Sequence, residues 1–99
     1  MRLLAALALA SALQAQAPLP LHEARKAQAL LRTQLPCLGC HELDGDGGRS
    51  APSLSTVGAR RSAAFIAAII ADPQRTVPGT AMPRHPMPAV VRDLVTRFL

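Results

Sequence analysis

Apolar residues recur at helical spacing in three segments of the chain. In the first segment they are Ala24, Ala27, Leu31, Leu35 and Leu38, with charged and amide side chains between them. Apolar residues three, four and seven positions apart line one face of an α-helix. The pattern predicts an amphipathic helix that begins near Glu23, whose carboxylate suits the helix dipole, and that Pro36 either ends or bends.

A second helix is predicted between Ser62 and Asp72. Ser62 is a favourable N-cap residue. The apolar residues that follow it are Phe65, Ile66, Ile69 and Ile70. Because Pro73 disfavours helical geometry at the residue before it, the helix is expected to stop by Asp72.

A third helix is predicted where the sequence ends. Its wide apolar face is formed by Val90, Val91, Leu94, Val95, Phe98 and Leu99. Pro88 suits the first position of this helix, where a missing N–H costs no hydrogen bond. Asp93 and Arg97 are four residues apart on the polar side and are expected to pair.

Two segments between the helices lack an amphipathic pattern. Residues 42–50 are polar and rich in glycine, which predicts a turn-rich loop. A calcium loop of the EF-hand type is excluded there, because its twelfth position counted from Glu42 is Ser53 rather than glutamate. Residues 73–87 contain Pro73, Pro78, Pro83 and Pro86, which predict a stiff, irregular loop. Since no run has the pattern of a strand, the predicted fold class is all-α.

Cys37, Cys40 and His41 form a C-x-x-C-H motif, the attachment signature of a covalently bound c-type haem. Cysteines three residues apart lie on one side of a helical turn, so both thiols can add to the two vinyl groups at one edge of a porphyrin. The adjacent His41 is then held beneath the ring, where its imidazole can bind iron.

Three other uses of the two thiols compete with haem attachment. A redox-active C-x-x-C pair belongs on a thioredoxin-like fold, which needs strands that this sequence does not predict. A structural zinc site needs four ligands, and only His22 and His85 remain to complete one. A structural disulfide in an exported protein is the third alternative. Haem attachment is favoured over all three.

The first seventeen residues have the pattern of a secretory signal peptide. Arg2 is the positive start, and residues 3–13 form an apolar run too short to span a bilayer. The residues Ala15-Gln16-Ala17 form a cleavage site. The expected organisation is a signal peptide over residues 1–17 and one domain over residues 18–99, located in the periplasm.

The predicted domain is small and poor in aromatic residues. Its only aromatic side chains are Phe65 and Phe98, and the net charge of the whole chain is +5, or +4 without Arg2. A domain of this size buries only about 60% of its unfolded surface, so it usually needs a further stabilising element such as a disulfide or a bound metal. A covalent haem would supply the missing apolar volume. Nucleic-acid binding is not expected from the positive charge, because the sequence contains no recognition motif.

Residues 21–99 resemble a small monohaem cytochrome c, of the class with an N-terminal C-x-x-C-H motif and a methionine ligand in the C-terminal half. The blocks that carry the resemblance are 37–41, 44–48, 51–54, 78–83 and the terminal helix that ends at Phe98 and Leu99. The resemblance implies the cytochrome c fold, in which three to four short helices wrap around one covalent haem c.

The resemblance also implies which residues bind the haem and its iron. The positions that it assigns to the haem are Cys37, Cys40, Pro52 and Leu54, and those that it assigns to the iron are His41 and Met82. The carbonyl of Pro52 would accept a hydrogen bond from the second ring nitrogen of His41. Met87 is expected to fill a gap in the core, and His85 to lie at the exposed tip of the ligand loop.

The function implied by the resemblance is electron transfer by an exported carrier, not an enzyme, acting either as a free shuttle or as a subunit of a redox enzyme complex. Expected partners are redox proteins with acidic docking surfaces, such as an oxidase, a reductase or a dehydrogenase, and membrane contact is expected only through a membrane-bound partner. The basic residues that could surround the haem edge are Arg49, Arg60, Arg61 and Arg84. Arg60 and Arg61 suit either haem propionates or a solvated helix start.

One alternative function is that of a haem subunit with a labile sixth site, of the peroxidase or sensor type. Another is a haem-free thiol–disulfide protein.

Overall fold

The structure, a computed structural model, describes residues 18–99. The predicted signal peptide, residues 1–17, lies outside the described residues. The helices are α1 (Leu21–Thr33), α2 (Val57–Arg60), α3 (Ala63–Ala71), α4 (Pro73–Thr76) and α5 (Ala89–Phe98), with a 3₁₀ turn at Pro36–Gly39 and two short strands, β1 (Glu42–Leu43) and β2 (Asp46–Gly47). The described residues are thus mostly helical, as the sequence predicts, and α2 and α4 are single turns.

Helix α1 begins two residues before the predicted start and ends three residues before Pro36. Its last turn is closed by the hydroxyl of Thr33, which donates to the carbonyl of Ala29 at 2.6 Å. The N–H groups of Gln34 and Leu35 both donate to the carbonyl of Leu30, at 3.0 and 2.8 Å. These bonds terminate the helix, and Pro36 then occupies the first turn of the 3₁₀ segment.

The segment predicted as a turn-rich loop contains a small β-hairpin. Strands β1 and β2 are antiparallel, with Leu43 opposite Asp46. Asp44 and Gly45 connect them with φ angles of 50° and 87°. Positive φ at both central residues defines a type I′ turn, for which Asp-Gly is a favoured sequence. The hairpin therefore follows from the turn residues, although each strand has only two residues.

Helices α3 and α4 meet at Asp72. The hydroxyl of Ser62 accepts the N–H of Phe65 at 3.1 Å, which confirms the predicted N-cap of α3. The prediction of an irregular segment from Pro73 onward is wrong at its start, because Pro73 opens the helical turn α4. Proline is compatible with the first turn of a helix, where its missing N–H needs no partner.

The core lies where the two terminal helices cross. Helix α5 packs against both α1 and α3, and α3 also packs against α4. The buried apolar residues are Ala27, Leu31, Leu43, Ile66, Leu94 and Val95. Among them Leu31, Leu43 and Val95 form one cluster, so the hairpin also contributes to the core.

The last helix begins at Ala89, one residue after the predicted position, with Pro88 as its cap. The predicted pair on its polar side is confirmed, since Arg97 Nε lies 3.1 Å from a carboxylate oxygen of Asp93. Across residues 18–99, every helix is too short or too polar to cross a membrane.

Candidate functional site

The C-x-x-C-H motif occupies the 3₁₀ turn and the two residues after it. The carbonyl of Cys37 accepts the N–H groups of Cys40 and His41, at 3.3 and 3.0 Å. These hydrogen bonds close one tight turn of the backbone, and both cysteines belong to that turn. Both thiols are free, with Cys37 half-buried and Cys40 exposed. The turn therefore presents two reactive sulfur atoms and an imidazole within five consecutive residues.

The orientation of His41 is set by Pro52. The distance from His41 Nδ1 to the carbonyl oxygen of Pro52 is 2.6 Å. Because a carbonyl oxygen only accepts, Nδ1 carries the hydrogen and Nε2 keeps its lone pair. A metal-binding imidazole commonly donates its second N–H to a carbonyl or carboxylate in this way, which fixes the tautomer and raises its basicity. His41 is thus prepared to bind a metal through Nε2.

The segment after the motif folds back over it. The N–H of Gly48 donates to the carbonyl of Leu38 at 2.9 Å, and the N–H of Ala51 donates to that of Cys40 at 3.0 Å. A Cβ atom on Gly48 would lie 2.5 Å from the carbonyl oxygen of Gly39. Only glycine permits so close an approach of two backbone segments, so Gly48 is required for the fold of this site.

The segment that carries Pro52 is held by the side chains of Glu42 and Arg60, in a role that the sequence did not predict for either residue. The carboxylate of Glu42 accepts the hydroxyl of Ser53 and, at 2.7 Å, the N–H of Gly45. These donors hold the pKa of Glu42 below its usual range. On the other side, Arg60 Nη2 donates to the carbonyl of Ser53 at 2.8 Å. The two contacts with Ser53 join residues that are 11 and 7 positions apart, and no local sequence signal predicts them.

The four arginines expected around the haem edge have different environments. Arg60 is exposed and donates to the backbone carbonyl of Ser53, a contact that the sequence did not predict. The guanidinium of Arg61 lies 4.7 Å from the ring centroid of Phe65, within the range of a cation–π contact. Arg49 and Arg84 are exposed. Within residues 18–99, the guanidinium groups of Arg49 and Arg84 make none of the described hydrogen bonds or ring contacts.

The loop with the predicted methionine ligand is built on a turn. The N–H of Thr80 donates to the carbonyl of Val77 at 3.1 Å, and Gly79 has a φ of 84°. With Pro78 at the second position, this is the geometry of a type II turn. Two residues later, the N–H of Met82 donates to the hydroxyl of Thr80 at 3.3 Å. The proline-rich loop therefore has a defined backbone.

The side chains that compete for the sixth iron position differ in exposure. Met82 and Met87 are half-buried, and His85 is exposed. The described hydrogen bonds of Met82 go to Thr80 and to Gln74, a residue that the sequence analysis did not single out. The choice of Met82 as an iron ligand stays a prediction, since no contact between its loop and His41 is among the described interactions.

Two alternatives for the cysteines are disfavoured. Burial raises the pKa of the Cys37 thiol, whereas the attacking cysteine of a thiol–disulfide protein needs a lowered pKa. Within residues 18–99, no three histidine, cysteine, aspartate or glutamate side chains are grouped so that they could hold a metal ion by themselves. The motif is therefore not part of a multi-ligand zinc site in the described part of the chain.

The residues at the site fit a covalent haem. The motif supplies two thiols for thioether bonds and an imidazole with a free Nε2, which is the donor set that a c-type haem requires. Cys37 of the motif packs on the core cluster together with six half-buried apolar side chains, Leu35, Leu38, Leu54, Ile70, Phe98 and Leu99. Side chains that are apolar and incompletely covered are suited to the face of a porphyrin. Leu54, predicted from the sequence to contact the haem, belongs to this set.

The family model that matches the chain is described as Cytochrome c and covers residues 24–95. The match therefore extends from the first turns of α1 into α5 and includes the whole C-x-x-C-H motif. The comparisons with curated proteins and with solved structures returned no match.

Proposed function

The chain belongs to the cytochrome c family, and we propose that it is an exported one-electron carrier whose haem iron is bound by His41 and Met82. Members of the family hold haem c covalently through C-x-x-C-H, and this chain carries that motif at residues 37–41. When bound, the haem supplies an iron that accepts and releases one electron.

The observation that carries the proposal is the hydrogen bond between His41 Nδ1 and the carbonyl of Pro52, at 2.6 Å. It leaves Nε2 as the only ring nitrogen that can bind iron and limits rotation of the ring. The bond is itself supported, because Glu42 and Arg60 both hold the adjacent Ser53. Firm positioning of an iron ligand favours electron transfer, since little has to move when the charge of the iron changes.

A second protein ligand distinguishes a carrier from an enzyme. If His41 and Met82 both bound the iron, no position would remain open at which a substrate could bind. A thioether ligand also raises the reduction potential relative to a second imidazole. Met82 is half-buried and follows a hydrogen-bonded turn, and its loop is stiffened by prolines on both sides. These features support a permanent ligand rather than a labile one.

Export and partner choice are proposed from sequence and charge. Residues 1–17 have the pattern of a cleaved signal peptide, which favours the periplasm. The basic excess and the exposed Arg49 and Arg84 favour docking to redox proteins with acidic surfaces, such as an oxidase, a reductase or a dehydrogenase. Membrane contact would then occur only through a membrane-bound partner, and no nucleic acid is involved.

The test is an optical comparison of the parent protein with Met82→Ala and Met87→Ala, all produced with haem-maturation machinery in an exporting host. The parent should contain covalently attached low-spin haem. Met82→Ala should become high-spin because iron loses its sixth ligand, whereas Met87→Ala should keep the parent spectrum. Met87 is a matched control because it is also a half-buried methionine in the same segment of the chain.

Each opposite result would overturn a different part of the proposal. If Met82→Ala stayed low-spin and Met87→Ala turned high-spin, Met87 would be the ligand. If the parent itself were high-spin, the site would be open and a peroxidase or sensor role would replace the carrier. A parent isolated without covalent haem would refute the proposal altogether.

A further inference from the structure

Gln74 belongs to a short helical turn next to the loop that carries the predicted iron ligand Met82. It is the second residue of α4, the single turn that Pro73 opens. The carboxylate of Asp72 accepts the N–H of Arg75 at 3.3 Å, and the carbonyl of Asp72 accepts the hydroxyl of Thr76 at 2.8 Å. Pro73 is among the most deeply buried side chains of the described residues. The backbone from which Gln74 projects is therefore fixed by the core and by its cap.

The side-chain amide of Gln74 reaches across to the ligand loop. Its Nε2 atom donates to the carbonyl of Met82 at 2.7 Å and to the carbonyl of Thr80 at 3.3 Å. One amide nitrogen thus bonds the backbone on both sides of Ala81. A third bond, from the N–H of Met82 to the hydroxyl of Thr80, links the two ends of this segment.

We propose that Gln74 is a positioning residue that holds Met82 on the haem iron by bonding the backbone carbonyls of Thr80 and Met82. The proposal rests on the function proposed above, in which Met82 is an iron ligand. Fixing the carbonyl of Met82 fixes the peptide plane next to its Cα, and this limits the positions that its sulfur can reach. Gln74 does not touch the iron and acts only through Met82.

The consequence is a lower population of the state in which Met82 is off the iron. An external ligand can bind only in that open state, and its apparent affinity is reduced by the small fraction of molecules that are open. When Met82 leaves the iron, the hydrogen bonds from Gln74 to its loop break, because they connect the moving loop to the fixed turn α4. Loss of the amide donor should therefore raise the affinity for an external ligand without weakening the rest of the fold.

The test uses ferric haem-loaded protein and imidazole as the external ligand. Gln74→Met keeps the length and approximate volume of the side chain but removes both donors, and Gln74→Glu keeps the shape but places an acceptor against two carbonyls. Loss of one to two hydrogen bonds should raise the imidazole affinity about tenfold. Gln34→Met, a change at an exposed glutamine at the end of α1, should leave the affinity unchanged.

A second measurement separates positioning from general stability. Hydrogen exchange at the Met82 N–H should accelerate about tenfold in Gln74→Met, because it reports opening of the loop, while the denaturant midpoint for global unfolding should change little. If imidazole affinity and Met82 exchange both stayed at the parent values, the proposal would be overturned. It would also be overturned if both changed only in proportion to a fall in the unfolding midpoint.

Failure of this proposal can be told apart from failure of the proposed function. If Met82→Ala turns the haem high-spin while Gln74→Met changes nothing, the iron ligand is correct and the role of Gln74 is wrong. If Met82→Ala leaves the haem low-spin, the assigned ligand is wrong, and the role of Gln74 in iron binding is refuted with it.

Discussion

Glu23 and Arg97 are 74 residues apart in sequence, yet Arg97 Nη1 donates to a carboxylate oxygen of Glu23 at 3.0 Å. This ion pair joins α1 to α5 at the crossing that forms the core. The hydrogen bond to Glu23 is the main reason that the pKa of Arg97 is raised above its usual range. The guanidinium also pairs with Asp93 on its own helix, so one side chain stabilises both a helix and its packing.

The first prediction concerns this pair. Glu23→Gln should lower the thermal midpoint modestly at low salt, and the loss should shrink at high salt because exposed ion pairs are screened. Asp93→Asn is the matched control, since it removes the other partner of Arg97 without touching the link between helices. Its effect should be smaller. Equal losses for Glu23→Gln at low and high salt would contradict an electrostatic link.

The second prediction concerns the packing of α1. Leu31 is 1% exposed and contacts the core cluster, whereas Leu21 on the same helix is 66% exposed. Leu31→Ala should reduce the free energy of unfolding by about 2–5 kcal/mol, because it removes apolar contacts and leaves a cavity. Leu21→Ala should change it by less than about 0.5 kcal/mol. Denaturant unfolding of both variants measures the contrast, and comparable losses would show that α1 does not pack as described.

The third prediction concerns the carboxylate that supports the Pro52 segment. The Ser53 hydroxyl and the Gly45 N–H lower the pKa of Glu42 in the folded state. A lowered folded pKa stabilises the protein above the unfolded value of about 4.3, and this stabilisation is lost as the pH falls through the folded pKa. Glu42→Gln should therefore be less stable than the parent at neutral pH.

The difference between Glu42→Gln and the parent should close as the solution is acidified. Urea unfolding midpoints measured in parallel from neutral to acidic pH give this difference directly, and contributions from other groups cancel in it. Ser53→Ala removes the largest cause of the shift, so it should show the same trend with smaller amplitude. A constant difference at every pH would mean that Glu42 acts by packing rather than by charge.

The fourth prediction concerns Gly58 in the short helix α2. Helix propensity alone would favour alanine over glycine there by about 1 kcal/mol. However, a Cβ atom at this position would meet the backbone carbonyl oxygen of Leu99. Gly58→Ala should therefore destabilise the protein, because the end of α5 must move to relieve the clash. Ala59→Gly is the neighbouring control, and it should reduce the free energy of unfolding by no more than the difference in helix propensity. A Gly58→Ala variant that is more stable than the parent would contradict the close approach of Gly58 to Leu99.

The fifth prediction concerns the positive charge proposed for partner docking. Oxidation of the reduced haem protein by an anionic metal complex should slow as ionic strength rises, because screening weakens the attraction. A cationic complex should show the opposite trend. The double variant Arg49→Gln and Arg84→Gln should reduce both dependences, since these two exposed arginines contribute to the positive surface. Salt dependences that remained unchanged would place the docking charge elsewhere on the surface.

The sequence alone predicts the features that depend on neighbouring residues. The three long helices follow from apolar spacing, and the Ser62 cap and the Asp93–Arg97 pair were both predicted and are confirmed. The C-x-x-C-H motif identifies the family and its haem without any structure. The helix boundaries shift by one to three residues, and α4 is missed, because a proline read as a breaker also fits a first helical turn.

What only the tertiary structure decided is which distant groups meet. The contacts of this kind are Glu42 with Ser53, Arg60 with Ser53, Gln74 with Met82 and Glu23 with Arg97. Each joins residues that no helical or turn pattern brings together, and two of the four involve a backbone carbonyl, which every residue possesses. A sequence marks the residues whose side chains carry the chemistry, but a carbonyl gains a partner only when the folded chain brings a donor within reach.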